Sequence, residues 1–252
     1  MKMLEGKVAI VTGSGQGVGQ GIAFALSGEG CKVVVAGRTE SKLEETCKEI
    51  EKRGGEAVSV KCEVTKKTGI ESCVQAALDR FGTIDIMVNN AQIVPFGTQL
   101  EVTDELFTAA FESGPLATHR FMKLCYPYLK ENKGSIINVG TAAALRWDPM
   151  GYGCYAAVKE AIRSLTRAAA CEWGPDGIRV NAIIPLALSP GMDIWVKERP
   201  EEAKAFLSLV PLGRIGDCET DIGRAVVFLV GPDSSYITGA TLMLDGGQGF
   251  LR

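Results

Sequence analysis

The sequence predicts an α/β fold, a doubly wound parallel sheet of about seven strands with helices on both faces. Short β-branched runs alternate with longer helical stretches almost to the end of the chain, which is typical of strands joined by crossover helices. The runs are continuously apolar, so each strand should be buried on both faces. Between the second and third runs, Leu43, Cys47 and Ile50 have the spacing of an amphipathic helix. The candidate strands span residues 7–11, 32–36, 57–61, 84–88, 135–139, 179–184 and 240–244.

The length and composition indicate one domain over residues 1–252, because no linker-like shift or low-complexity tract interrupts the alternation. The least regular stretch spans residues 186–216 and contains Pro190, Pro200 and Pro211. A long loop inside a compact domain is commonly a lid or a binding segment. We therefore expect residues 186–216 to form a substrate loop or lid.

The charge pattern and the cysteines exclude several classes of protein. A net charge of -3 with scattered basic residues argues against a surface for nucleic acid or for a membrane. No apolar run reaches the roughly 18 residues that span a bilayer, and no cleavage-type site follows the start, so we expect a cytoplasmic protein. The eight cysteines form no CxxC pair and His119 is the single histidine, so we expect no metal site.

A glycine-rich turn follows the first predicted strand. The segment TGSGQGVG places Gly13, Gly17 and Gly19 between that strand and a helical stretch. Glycines there allow the backbone to turn tightly and approach a pyrophosphate, which then meets free N–H groups at the helix N-terminus. This context predicts a dinucleotide site, and a plain tight turn is the alternative.

The end of the second predicted strand indicates which dinucleotide binds. An acidic residue there would bond the ribose hydroxyls of NAD, whereas an arginine supplies a forked donor for the 2'-phosphate of NADP. The sequence has Gly37 and Arg38 at this place and no carboxylate. We therefore favour NADP, with NAD possible, and the alternative is that Arg38 is a solvated surface charge.

Four motifs together resemble the classical short-chain dehydrogenase/reductase family over nearly the whole chain. They are TGSGQGVG (12–19), NNAQ (89–92), GSIINVGT (134–141) and YAAVK (155–159). The resemblance implies a single Rossmann domain that moves a hydride between a nicotinamide and an alcohol or ketone. It also implies a homotetramer.

The resemblance implies a role for each polar residue near YAAVK. Tyr155 would be the acid/base at the substrate oxygen, and Lys159, one helical turn later, would lower its pKa and bind the cofactor ribose. Tyr152 has Ala156 at that spacing and is expected to be a pocket wall or a packed aromatic. Thr141 stands where the family has a serine and would hold the substrate oxygen. The implied cofactor contacts are Gly13, Ser14, Gln16, Gly17, Val18, Gly19, Arg38, Glu63, Val64, Asn90, Ala91, Tyr155, Lys159, Pro185 and Leu188.

Three positions depart from the family pattern. Gly114 stands where the family has a catalytic asparagine, but Pro115 beside it should free the carbonyl of Phe111 and bend the helix. We therefore expect a slower but working proton relay. Gln92 and Leu186 stand where the family has glycines, and both should add bulk to the cofactor pocket.

The two segments expected to flank the nicotinamide carry apolar and aromatic side chains, which suit a bulky hydrophobic substrate; ordinary loop packing is the alternative. We predict an NADP(H)-dependent oxidoreductase acting on a hydrophobic secondary alcohol or ketone, cyclic ones included. The competing hypothesis is a catalytically silent, cofactor-binding subunit that partners an active paralogue in a mixed oligomer, and retention of Tyr155 and Lys159 argues against it. The flanking residues are Trp147, Met150, Tyr152, Met192, Ile194 and Trp195.

Overall fold

The computed structural model describes residues 2–145 and 150–249 of the chain. Seven strands form one sheet in which every neighbouring pair is parallel, in the order β3-β2-β1-β4-β5-β6-β7. The sheet is doubly wound, because the strand order reverses between β1 and β4. The strands are β1 (Val8–Thr12), β2 (Lys32–Gly37), β3 (Ala57–Lys61), β4 (Ile86–Asn89), β5 (Ser135–Val139), β6 (Arg179–Pro185) and β7 (Thr241–Leu244).

Helices cover both faces of the sheet. On one face, Ile22 and Val226 pack in a buried cluster with the side chains of β1 and β2. On the other face, Ile70 and Phe121 belong to a second buried cluster. The helices are α1 (Gly17–Gly28), α2 (Glu40–Lys52), α3 (Lys67–Phe81), α4 (Asp104–Phe111), α5 (Ala117–Asn132), α6 (Gly153–Trp173), α7 (Pro190–Glu198), α8 (Pro200–Leu207) and α9 (Arg224–Val230).

The seven predicted strands are all present, with ends that differ by up to two residues from the predicted ones. The helix predicted around Leu43, Cys47 and Ile50 is α2, and all three side chains are buried. Continuous apolar runs were informative here because a parallel strand covered on both faces has no solvent side to fill with polar residues. Within the described ranges, no helix is long and apolar enough to cross a membrane.

The stretch at residues 186–216 differs from the irregular loop that we predicted, since much of it folds into α7 and α8. Each of these helices begins at a proline, whose fixed φ and missing N–H suit the first helical position. Ser189 caps α7 by accepting a hydrogen bond from the Met192 N–H at 3.4 Å. Pro190 and Pro200 therefore start helices instead of breaking structure. The lid role of the segment stays a prediction.

Candidate active site

A cleft of about 540 Å³ opens at the carboxyl ends of the strands, near the point where the strand order reverses. Its wall is formed by the glycine turn after β1, by the ends of neighbouring strands and by the first turn of α6. Doubly wound sheets bind their ligands at this edge. The sequence-predicted residues in the wall are Gly13, Gln16, Gly17, Val18, Arg38, Glu63, Val64, Asn90, Ala91 and Tyr155.

Hydrogen bonds hold the glycine turn against the end of β4. The Thr12 hydroxyl accepts hydrogen bonds from the Asn90 and Ala91 N–H groups at 3.0 and 3.1 Å, and the Asn90 amide donates to the Thr12 carbonyl at 2.8 Å. A Cβ on Gly19 would lie 2.5 Å from the Gly13 carbonyl oxygen, so this approach requires glycine. No side chain caps the N-terminus of α1, which follows the turn, so its first N–H groups can meet a phosphate.

Ser14 has a different role from the predicted cofactor contact. Its hydroxyl donates to the Val11 carbonyl at 2.6 Å and accepts from the Ala36 N–H at 3.1 Å. Its own N–H donates to the Ala36 carbonyl at 3.2 Å. Because both polar groups point into the protein, Ser14 stabilises the contact between β1 and β2. Thr12, which the sequence-based prediction missed although it opens the TG motif, positions the turn against β4.

The end of β2 carries positive charge and no competing acid. Arg38 is exposed at the rim of the cleft, and no ion pair joins it to an acidic side chain in the described part of the chain. Lys42, in the first turn of α2, also lines the cleft and donates to the Gln16 side-chain oxygen. Sequence reasoning missed Lys42, although its spacing of four from Arg38 in GRTESK was a usable signal. Two cations at one rim can meet an anionic group.

Tyr155 and Lys159 lie one turn apart on α6. The Lys159 Nζ is 5.7 Å from the centre of the Tyr155 ring and donates to the Val139 carbonyl at 2.6 Å. Thr141 lies beside Tyr155, close enough for its side chain to influence the pKa of the tyrosine. The ring of Tyr152 is 6.2 Å from the ring of Tyr155, so it forms an adjacent wall. The structure thus brings together the three predicted catalytic side chains.

Burial controls the titration of this pair. It raises the pKa of Tyr155 to about 12, although the Thr141 side chain acts in the opposite direction. It lowers the pKa of Lys159 to about 7, because the ammonium has lost its water. The sequence-based prediction was a tyrosine pKa lowered by the lysine together with the positive nicotinamide; in the protein alone, burial acts in the opposite direction. Desolvation favours the neutral form of both groups.

A π-helical turn at Glu112–Leu116 joins α4 to α5 and contains both Gly114 and Pro115. The distortion predicted from Pro115 is therefore present. Gln92 lines the cleft, where we predicted that it adds bulk, but its amide is turned toward the backbone. Its Nε2 instead donates to the Ile93 and Ala110 carbonyl oxygens at 2.7 and 2.9 Å.

Comparison with known proteins agrees with this geometry. A family model described as enoyl-(acyl carrier protein) reductase matches residues 13–248. A 12alpha-hydroxysteroid dehydrogenase from a Clostridium species is 42% identical, over 99% of each chain. The chain belongs to the classical short-chain dehydrogenase/reductase family. This protein is therefore an NAD(P)-dependent oxidoreductase that interconverts secondary alcohols and ketones.

Other relatives of this protein act on varied substrates. Glucose 1-dehydrogenase 2 of Bacillus subtilis is 34% identical, over 98% of this chain and 96% of its own. The structure of a 7alpha-hydroxysteroid dehydrogenase with NADH and 7-oxo glycochenodeoxycholic acid has a TM-score of 0.92 at 29% identity, covering 98% of this chain and 95% of that one. An actinorhodin polyketide ketoreductase with NADPH has a TM-score of 0.90 at 30% identity, covering 97% and 98%. The Rossmann-type fold is shared throughout.

The residues of this dehydrogenase fit a nicotinamide dinucleotide. A Cβ on Gly13 would meet the Asn90 side chain at 2.9 Å, so glycine lets the turn pack closely on the end of β4, and both Gly13 and Gly17 line the cleft. The glycine turn and the N-terminus of α1 would hold the pyrophosphate. Glu63, whose carboxylate accepts from the Thr65 N–H and hydroxyl at 3.3 and 3.1 Å, lines the cleft at the end of β3.

The segment after β6 lines the cleft with residues beyond Pro185 and Leu188, whose contact with the cofactor stays a prediction. Pro185 and Leu188 are absent from the described wall of the cleft, and Ser189, Pro190 and Gly191 line it instead. The chain first runs beside Gly216, to whose carbonyl Leu188 N–H donates at 2.8 Å, and turns toward the cleft only at α7. We predicted that Leu186 adds bulk to the cofactor pocket. Its side chain is instead buried in the wall of a neighbouring cavity.

The apolar side chains expected around the substrate are present on two segments. Met150 and Ile194 are exposed, at 54% each. Trp195 packs edge-on against Phe206 of α8, with ring centres 5.7 Å apart. Trp147 lies outside the described residues. Ile194 lies on α7, whose first residues line the cleft, and exposed apolar side chains on such a segment can cover a hydrophobic ligand.

Proposed function

We propose that the dehydrogenase interconverts the hydroxyl and keto forms of a flat, polycyclic, steroid-like secondary alcohol, with NADP(H) as the preferred cofactor. The observation that carries this proposal is the placement of Tyr155 in the cleft wall with Thr141 and Lys159 beside it, together with exposed apolar side chains on the segments at residues 150 and 194. A flat hydrocarbon with one reacting hydroxyl would need both features.

Each catalytic side chain has one task in this proposal. Tyr155 exchanges a proton with the substrate oxygen, and Thr141 holds that oxygen through its hydroxyl. Lys159 lies under the tyrosine ring; it binds the ribose, and in its protonated form it supplies positive charge. A bound nicotinamide supplies or accepts the hydride. Because the pKa of Tyr155 is about 12 in the protein alone, the phenol is protonated and ready to donate to a ketone oxygen.

Two relatives support the substrate class. The 12alpha-hydroxysteroid dehydrogenase is 42% identical over the whole chain, and the 7alpha-hydroxysteroid dehydrogenase bound a bile-acid ketone. Met150 and Ile194 supply apolar surface that would cover the ring system. Burying hydrocarbon stabilises a complex by about 0.8 kcal/mol for each CH₂ group, so a polycyclic substrate gains more than a short alcohol.

The cofactor preference rests on Arg38 and Lys42. Both are exposed at the rim of the cleft beside the end of β2, where the ribose 2'-phosphate of NADP would lie. Positively charged donors favour that phosphate through charge-assisted hydrogen bonds. NAD, which has no 2'-phosphate, would lose this contact.

We also propose a homotetramer. Phe228 on α9 and Leu242 on the edge strand β7 are exposed at 40% and 37%, and Phe107 packs edge-on against exposed Phe111 on α4. Exposed apolar side chains on three separate elements are typical of protein interfaces. Light scattering on the purified protein should give four times the chain mass. The cytoplasmic location stays a prediction.

Steady-state assays on the purified protein test the proposed function. We expect turnover of bile-acid hydroxysteroids with NADP+ and of the matching oxosteroids with NADPH, at a kcat/KM well above that for glucose or short-chain alcohols. Glucose turnover without steroid turnover would overturn the substrate class. Tight cofactor binding with no turnover of any substrate would instead support the silent-subunit hypothesis.

A further inference from the structure

Gln92 and Gly114 form a matched pair in which one residue fills the space that the other leaves. Gln92 is in the loop after β4, and Gly114 is in the buried π-helical turn. A Cβ on Gly114 would lie close to Gln92 Oε1 and 2.8 Å from Val158 Cγ1. Any side chain at position 114 would therefore displace the Gln92 amide.

The orientation of the Gln92 amide is determined by its partners. Its Nε2 donates to two carbonyl oxygens, those of Ile93 and Ala110, and also lies 3.3 Å from Ser113 Oγ. The reverse orientation would place the amide oxygen against two acceptors, which is unfavourable. Oε1 is therefore the atom beside Gly114.

The same amide supplies a hydrogen bond that the backbone of the π-helical turn cannot make. In a helix with i to i+5 hydrogen bonds the Ala110 carbonyl would pair with residue 115, and Pro115 has no N–H to donate. Gln92 Nε2 donates to that carbonyl at 2.9 Å, and the Ser113 hydroxyl donates to it at 3.2 Å. The Ser113 hydroxyl also accepts from the Ile93 N–H at 3.0 Å. The loop after β4 is thus tied to the π-helical turn.

Gln92 Oε1 is buried, and among the described residues it has no hydrogen-bond partner. Buried polar atoms without a partner are rare, and in native proteins an internal water commonly satisfies them. The π-helical turn packs on α6 through Val158, which directly precedes Lys159. Lys159 has three N–H donors when charged, and one of them is used by the Val139 carbonyl.

We propose that Gln92 is a positioning residue for proton exchange at the Tyr155–Lys159 pair, and that it supplies from the β4 loop the amide that the π-helical turn lacks at Gly114. Its Oε1 is a fixed acceptor for a water molecule that serves the Lys159 ammonium. This inference rests on the proposed function, because it concerns proton transfer during turnover.

A residue swap tests the pairing. Gln92→Met fills the same volume without an amide, so we expect cofactor affinity to be retained, kcat to fall by roughly tenfold and the apparent pKa of the kcat profile to shift. Gly114→Asn alone places a side chain against Gln92, so we expect it to lose activity as well. The double variant Gln92→Gly/Gly114→Asn returns an amide to the same space from the helix, and we expect it to recover kcat and the parent pH profile.

Three results would decide the matter. Parent-like kcat and pH profile in Gln92→Met would overturn the proposal, and so would a double variant no better than Gly114→Asn. If Gln92→Met lowers the melting temperature strongly, the double variant decides, because rescue of both turnover and pH profile requires the amide itself. Absence of turnover in the unmodified protein would contradict the proposed function, and this result is distinct from both of the others.

Discussion

At the dinucleotide end of the cleft, the groups that would meet a ligand come from the backbone of one glycine turn, whereas at the Tyr155 end they are side chains from separate segments. The turn is held by Thr12 and Asn90, and Gly19 allows no Cβ. At the other end an amide from the β4 loop occupies the space beside Gly114. Backbone sites require fixed residue types, but a side-chain function can move between segments that meet in space.

The largest expected effect concerns the acid/base at the side-chain end. Tyr155→Phe removes the hydroxyl that would exchange the proton, so kcat should fall about 100-fold or more with cofactor affinity unchanged. Steady-state kinetics and a cofactor fluorescence titration measure the two quantities. Tyr152→Phe is the matched control, since its ring is only a neighbour of Tyr155, and it should retain kcat within a few-fold. Equal loss in both variants would show that Tyr155 has no special role.

The next largest effect concerns the glycine turn at the dinucleotide end of the cleft. Gly19→Ala places a Cβ 2.5 Å from the Gly13 carbonyl, and overpacking of this kind is unfavourable by about 1–3 kcal/mol. Cofactor Kd should therefore rise roughly tenfold, as measured by fluorescence titration. Gly28→Ala on the same helix is the control, because nothing lies within 4 Å of its added Cβ. Unchanged affinity in Gly19→Ala would mean that the turn adapts more than its geometry indicates.

A third prediction concerns Arg38, a side chain at the dinucleotide end of the cleft. Arg38→Asp removes a positive donor and adds a repelling carboxylate, and a hydrogen bond to a charged group is worth about 1.5–3 kcal/mol. The KM for NADP+ should rise at least about tenfold while the KM for NAD+ falls. Lys48→Glu makes a similar charge change at an exposed position on α2 and should leave the ratio of the two KM values unchanged. An unchanged ratio in Arg38→Asp would contradict the NADP preference.

The smallest effect is on stability and comes from Lys159. Its pKa is about 7 in the folded protein and near 10.5 when unfolded, so between these values the unfolded chain binds more protons. The unfolding free energy of the protein, measured relative to Lys159→Met, should therefore increase as pH rises from 7 toward 9.5. Urea denaturation at several pH values measures this difference, and the exposed Lys48→Met should show no such trend. A flat difference for Lys159→Met would mean that the lysine remains charged.

Prediction from the sequence succeeded where a local pattern has one structural solution. The apolar runs became seven parallel strands, and the five inner strands are largely buried, as expected of strands covered on both faces. The edge strands β3 and β7 are only half-buried or exposed, so the predicted burial of every strand was wrong for these two. The spacing of Tyr155 and Lys159 placed both on one face of α6. The loop predicted around Pro190 and Pro200 was wrong because proline suits both a loop and the first position of a helix. Local sequence does not distinguish these cases.

By itself, the sequence predicted the fold class, the glycine turn and the one-turn spacing that places Tyr155, and not Tyr152, beside Lys159, since each follows from residue type and spacing along the chain. Only the tertiary structure decided the burial that raises the pKa of Tyr155 and lowers that of Lys159. It also decided that Gln92 lies against Gly114, a contact between residues more than twenty positions apart in the sequence. The physical reason is that desolvation and contacts between segments depend on packing, which no local pattern encodes.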